Sequence, residues 1–169
     1  YHDQKDYAVC FGVEPEIWQK AEDNQYVPET SLTETEIRMP GGHLTIAQLI
    51  ALLNTIPMEI TFVDVDNINR FFNEGPKDFK RPGMAIDREV FSCHPPKIEA
   101  TVRRIIGEFR AGALDEVPIW MDKNGKCMLV RYMAVRDKEG KYLGTLELVQ
   151  DMGFAKEHFQ PEKRQEEIW

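Results

Sequence analysis

Two consecutive prolines, Pro95 and Pro96, restrict this chain more than any other feature. Proline lacks the N–H that a helix interior needs, but the first helical turn has no use for that donor. His94, lying before a proline, is driven towards extended geometry, so a helix can begin at this point and cannot reach back through it. Downstream, Ile98, Val102, Ile105, Ile106 and Phe109 recur at helical spacing, with Arg103, Arg104, Glu108 and Arg110 between them and Gly112 as the stop. The spacing predicts an amphipathic helix over residues 95–111. Its apolar stripe needs a surface to lie on.

The flanking sequence offers one. Ile60-Thr61-Phe62-Val63-Asp64 and Ile68-Asn69-Arg70-Phe71-Phe72 are rich in β-formers, and Asp66-Asn67 between them suits a tight turn. Beyond the helix, strands are expected over residues 117–121, 128–135 and 142–149, joined by Lys123-Asn124-Gly125-Lys126 and Asp137-Lys138-Glu139-Gly140. Two hairpin blocks separated by helices do not make a parallel doubly wound sheet. They fit an α+β fold with a five-stranded antiparallel sheet and helices on one face. Ahead of the first hairpin, Thr45 and Gln48 form a capping box for a helix over residues 45–54, with Leu44 and Leu49 placed as its staple. Ile46, Leu49, Ile50, Leu52 and Leu53 make that helix apolar over much of its girth, and Pro57 ends it. It must be covered, by the other face of its own sheet or by a second copy of itself.

Charge is unevenly spread. The chain has 169 residues and a net charge of −8, of which residues 1–43, with nine acids and three bases, hold −6. These first residues read as an acidic linker or extension, with a short strand expected at 7–13 and a short helix at 15–21. The domain is expected over 44–152, and a charged, helix-capable tail over 153–169. The sequence starts at Tyr1 rather than Met, which is expected of a fragment. An acidic arm on a nearly neutral domain argues against nucleic acid, whose binders need a basic face. No apolar run approaches the ~20 residues of a membrane span. Three widely spaced cysteines, Cys10, Cys93 and Cys127, make neither a disulfide framework nor a zinc site, so a reducing cytoplasm is the expected setting.

The element order resembles that of PAS domains. Ile60-Thr61-Phe62-Val63-Asp64 with Arg70-Phe71-Phe72-Asn73 is similar to the first PAS hairpin, and residues 131–137 with 140–147 to the last. Leu44-Thr45, Leu53-Asn54-Thr55-Ile56-Pro57, Phe72-Asn73-Glu74-Gly75-Pro76 and Cys93-His94-Pro95-Pro96-Lys97 resemble one group in particular. In that group, from prokaryotes, a C-terminal PAS domain often follows a hemerythrin-like domain. The resemblance spans residues 44–152. It implies a sensing or interaction module, a homodimer, with a cavity between sheet and helices for a small apolar or planar ligand or a contact for a protein partner. His2, His43, His94 and His158 are too few and too scattered for a di-iron site. The Asn-Cys-Arg motif of flavin photosensors is missing, so no photoactive flavin is expected.

Several residues are candidates for the site. At the start of the long helix the dipole disfavours imidazolium, so His94 is either a ligand for haem iron or a residue that caps the helix or bonds a nearby carbonyl. Cys93 is a redox-sensitive thiol in the same field, or a small buried hydrophobe. Arg131, with Leu129, Met133 and Val135 at alternate positions, either faces the core and pairs with Glu147 or an anion, or lies on a wetter face. Phe62, Phe72, Phe79, Phe91, Trp120 and Met133 line a pocket or simply fill the core. With no phosphate loop, nucleophile elbow, HExxH or paired-His spacing, no enzyme activity is expected. Three readings follow: a ligand- or partner-binding sensor, a haem or redox sensor using His94 and Cys93, and a ligand-free dimerisation module.

Overall fold

The structure is a computed structural model in which residues 34–75, 77–79 and 83–160 are described, without the side chains of Met84 and Cys93. The strand expected at 7–13 and the helix at 15–21 lie outside the described residues.

Five strands form one antiparallel sheet in the order β4-β3-β7-β6-β5. They are β3 (Glu59–Asp64), β4 (Asn69–Phe72), β5 (Glu116–Lys123), β6 (Lys126–Arg136) and β7 (Tyr142–Asp151). The fold is the expected α+β one. Asn124 and Gly125 both have positive φ, +53° and +79°, which gives the tight turn between β5 and β6 the twist that hairpin strands require. The long helix, α2 (Pro96–Arg110), starts at the second proline and buries Val102, Ile105, Ile106 and Phe109. Each such side chain contributes about 1.5–3 kcal/mol by leaving water. One part of the core joins Ile105 and Phe109 to Phe79, Met128, Val130, Tyr132, Tyr142 and Val149; another joins Val102 and Ile106 to Val63, Val90 and Phe91. Arg136 ties the helix end to the sheet, donating to the Phe109 carbonyl at 2.7 Å and to Asp115 at 2.9 Å.

Ahead of the sheet the structure adds a hairpin that the sequence reading had assigned to the linker. β1 (Glu36–Met39) and β2 (Gly42–Thr45) pair with Ile37 opposite Leu44, across the expected boundary at residue 43. Pro40-Gly41 is its turn, with Gly41 at φ +99° and Gly42, the first residue of β2, at +144°. The capping box on α1 (Ile46–Thr55) is present: Thr45 Oγ1 accepts from the Gln48 N–H at 3.1 Å, and Gln48 Oε1 accepts from the Thr45 N–H at 2.9 Å. No residue of α1 is buried, and Ile50 and Leu52 are 45% and 47% exposed. The sheet of its own chain therefore does not cover it.

Asn73 anchors this helix to the sheet. It is 3% exposed; its Oδ1 accepts from the Ile60 N–H at 2.8 Å, and its Nδ2 donates to the carbonyls of Met58 at 2.8 Å and Leu53 at 3.2 Å. A second link runs between Asn54 and Glu74. After β7 a short helix, α3 (Gly153–His158), begins the tail. Residues 161–169 lie outside the described residues.

Candidate functional site

Strand register decides which residues share the inner face. One row crosses the whole sheet beneath α2: Phe72 on β4, Thr61 on β3, Glu147 on β7, Tyr132 on β6 and Val117 on β5. The next row sets Val63, Thr145 and Ala134 side by side. Neighbouring strands lie about 4.8 Å apart, so the polar members of these rows are within side-chain reach of one another. Above them the helix contributes Val102, Ile105 and Ile106.

Between the two layers is a cavity of about 40 Å³. Its apolar wall is formed by Val63, Phe72, Ala85, Val90 and the three α2 residues, and its polar wall by Thr61, Asn69, His94, Tyr132, Thr145 and Glu147. Glu147 is only 8% exposed, although it stands at the centre of the sheet. A carboxylate withdrawn from water to this degree has to be met by hydrogen-bond donors. The Tyr142 and Thr145 hydroxyls are hydrogen-bonded at 2.7 Å, which fixes the rotamer of Thr145 at the cavity wall.

His94 and Asn69 are both oriented by backbone carbonyls. His94 Nδ1 lies 2.8 Å from the Val90 carbonyl oxygen, which can only accept, so Nδ1 carries the proton. The neutral ring then has its lone pair at Nε2. This is the carbonyl-bonded alternative for His94; no side chain caps α2. Asn69 Nδ2 donates to the Arg88 carbonyl at 3.3 Å, which leaves Oδ1 as the acceptor end. A tautomer fixed in this way suits a metal-bound histidine. The space does not suit haem. About 10–15 Å³ is needed per water, and a single benzene ring binds in a cavity of about 150 Å³. A cavity of about 40 Å³ holds some three water-sized groups, far short of a macrocycle. Among the described residues there is also no group of three or more His, Cys, Asp or Glu side chains arranged to hold a metal ion.

Of the candidates read from the sequence, His94 and Phe72 line the cavity. The Cys93 side chain lies outside the described residues. Phe79 and Phe91 are core residues beside it; Phe79 is fully buried, with Lys123 Nζ 3.7 Å from its ring centre. Four others belong to the opposite face of the sheet. Phe62 pairs with Phe71 and Leu146, Met133 with Leu146 and Glu116, and Trp120 with Leu129. Trp120 is 65% exposed. Arg131 is on that face as well, the wetter of its two alternatives, and its partner is Glu116 at 2.6 Å, not Glu147. The hydrogen bond from Arg131 holds the Glu116 carboxyl below the usual carboxylate range and raises Arg131 in turn. The displacement has one cause: side chains alternate along a strand, so a one-residue error of phase moves a whole set to the other face.

Sequence reasoning missed Thr61, Asn69, Tyr132 and Thr145 at this site, and it considered Glu147 for the core face only as a partner of Arg131, which lies on the other face. The signal that could have found them is the pairing of Val117, Ile119 and Met121 on β5, which matches the even-numbered residues of β6 to the core.

Residues 49–153 match a family described as PAS domain. No curated protein matches the chain. Among solved structures, a C-terminal domain from Streptococcus mutans is 37% identical, with 74% of this chain and 98% of that chain covered and a TM-score of 0.71. A PAS domain from Colwellia psychrerythraea is 14% identical over 63% of this chain and 95% of that chain, with a TM-score of 0.44. A sensory box sensor histidine kinase from Vibrio cholerae is 12% identical over 61% and 88%, with a TM-score of 0.43.

Proposed function

This chain belongs to the PAS domain family and so has a sensory or regulatory role, and from that premise we propose that it binds a small ligand between its sheet and α2 and signals as a homodimer. One observation carries the ligand reading: a buried carboxylate, Glu147, on the wall of a cavity whose other side is apolar. Binding sites have this composition, with a few placed polar groups in an apolar surround. The chain is accordingly read as a binding module.

The dimer reading is supported by α1. Its sequence from Ile46 to Thr55 holds no charged residue, and Ile50 and Leu52 stay about half exposed. A second copy supplies the missing cover. Asn73 gives the two regions a mechanical link, since it bonds the end of α1 on one side and Ile60, next to Thr61 of the cavity row, on the other. A ligand that shifts β3 thereby changes how α1 is presented to its partner. The domain is read as the C-terminal regulatory part of a larger protein with a hemerythrin-like domain upstream, in keeping with the motifs it shares with that group.

Sedimentation equilibrium of the wild type and of Ile50→Ser/Leu52→Ser tests the proposal. The wild type is expected to be a dimer and the double variant a folded monomer. A monomeric wild type would overturn the dimer reading.

A further inference from the structure

Resting on the reading of the cavity as a ligand site, we infer that its gate is the strap Ala85–Val90 and that the Arg70–Asp87 ion pair is the latch. Sheet and α2 wall the cavity on opposite sides, and both are held by continuous hydrogen-bond ladders. The helix is fixed further by its four buried side chains. The strap is a single length of chain. Ala85 and Val90, 1% and 7% exposed, line the cavity, while Asp87, Arg88 and Glu89 between them are exposed. One layer of backbone there separates the cavity from solvent.

The strap borders β4, the edge strand of the sheet, through an isolated bridge between Ile68 and Glu89. The Asp87 N–H donates to the Asn69 carbonyl at 2.8 Å, the Asn69 N–H to the Arg88 carbonyl at 2.9 Å and the Val90 N–H to the Asn67 carbonyl at 2.7 Å. Arg70 on β4 spans two carboxylates: Nε donates to Asp64 on β3 at 2.5 Å, and Nη1 to Asp87 on the strap at 2.6 Å. Asp64 belongs to the sheet, so Arg70 stays anchored there and only its Asp87 contact breaks when the strap lifts. Asp87 also has φ +61°, a left-handed conformation that a non-glycine residue keeps at a cost when its surroundings enforce it. Lifting the strap relieves that strain, and the latch opposes the release. The side chains of Arg70 and Asp87 are 46% and 58% exposed, so the latch has the strength of a surface ion pair and is weakened by salt. Such a contact keeps a gate closed and lets it open at small cost.

The test follows xenon entry into the whole chain by saturation-exchange NMR, with amide hydrogen exchange alongside. Xenon is an apolar probe small enough for a cavity that holds some three water-sized groups. In Asp87→Asn, xenon is expected to exchange about two- to fivefold faster than in the wild type, at unchanged affinity. Protection of the Asn69, residue-87 and Val90 amides should fall by a similar factor, and that of Val102, Ile105 and Ile106 should not. Arg70→Gln should act in the same way and serves should Asp87→Asn fail to fold; Arg70→Lys should recover part of the slow exchange. Raising the ionic strength should speed xenon entry into the wild type and leave Arg70→Gln unchanged. Xenon that binds but exchanges at one rate in wild type and variants, or lost protection that extends equally to α2, overturns the gate and leaves the cavity as a ligand site. A wild type that takes up no xenon overturns the ligand reading and the gate with it.

Discussion

Replacing Asn73 by alanine is expected to loosen α1 from the domain before it disturbs the core. The side chain satisfies one backbone N–H and two carbonyls, at Ile60, Met58 and Leu53, and also accepts from Lys77 Nζ at 2.8 Å; its loss strands the three backbone groups in a place where Asn73 itself is 3% exposed. A neutral hydrogen bond is worth about 0.5–1.5 kcal/mol net, and a buried group left without a partner costs about 1–3 kcal/mol. Met58 and Leu53 are only half-buried, so water can reach their carbonyls and those two losses fall at the low end. Ile60 is buried, and its N–H has no such recourse. The expected cost is about 2–4 kcal/mol in urea unfolding followed by circular dichroism. Amide exchange should show α1 losing protection out of proportion to β6 and β7. Asn73→Asp is expected to be no better: it keeps the acceptor for Ile60 but turns a carboxylate oxygen towards two carbonyls. A cost below about 1 kcal/mol for Asn73→Ala, or an Asp variant as stable as the wild type, would refute the anchoring role.

Two further outcomes are expected. Gly144→Ala should destabilise by about 2–3 kcal/mol in the same assay, because a Cβ there would lie 2.3 Å from the Val63 carbonyl oxygen and 2.8 Å from the Phe62 ring; a loss under 1 kcal/mol would contradict it. Burial pushes the Asp64 carboxyl up, but hydrogen bonds from Arg70 and from the Ile68 and Asp66 N–H groups outweigh it and hold the group below its ordinary 3.8. The folded chain therefore binds the proton less readily than the unfolded chain. This stability is complete above about pH 4–5 and is lost as the pH falls through the folded-state value. Asp64→Asn should flatten the acid limb of a Tm-against-pH curve between roughly pH 4 and pH 2, and an unchanged limb would count against the contribution.

What could be read from the sequence was what is local. The start of α2 at a double proline, the capping box of Thr45 and Gln48, and the Asn124-Gly125 turn are each decided within a few residues, and the structure has all three. The β1–β2 hairpin was missed because its strands hold four residues each and carry little apolar signal beyond Ile37 and Leu44, so Pro40-Gly41-Gly42 passed for a linker. The face of β6 was harder. Leu129, Met133 and Val135 are as apolar as Met128, Val130 and Tyr132, so hydrophobic alternation has no preferred phase there, and Arg131 gave a misleading hint of a core cation. The row that brings Thr61, Glu147 and Tyr132 together depends on the register of β3 against β7, two strands distant in sequence. No periodicity within one strand encodes it.

The account rests on a cavity that holds a ligand and a helix that holds a second copy, and a native mass spectrum of the protein purified without denaturation addresses both together. It predicts a dimer carrying one small-molecule adduct per protomer, with the adduct lost in Glu147→Gln and the dimer lost in Ile50→Ser/Leu52→Ser. A bare monomer from the wild type would contradict it.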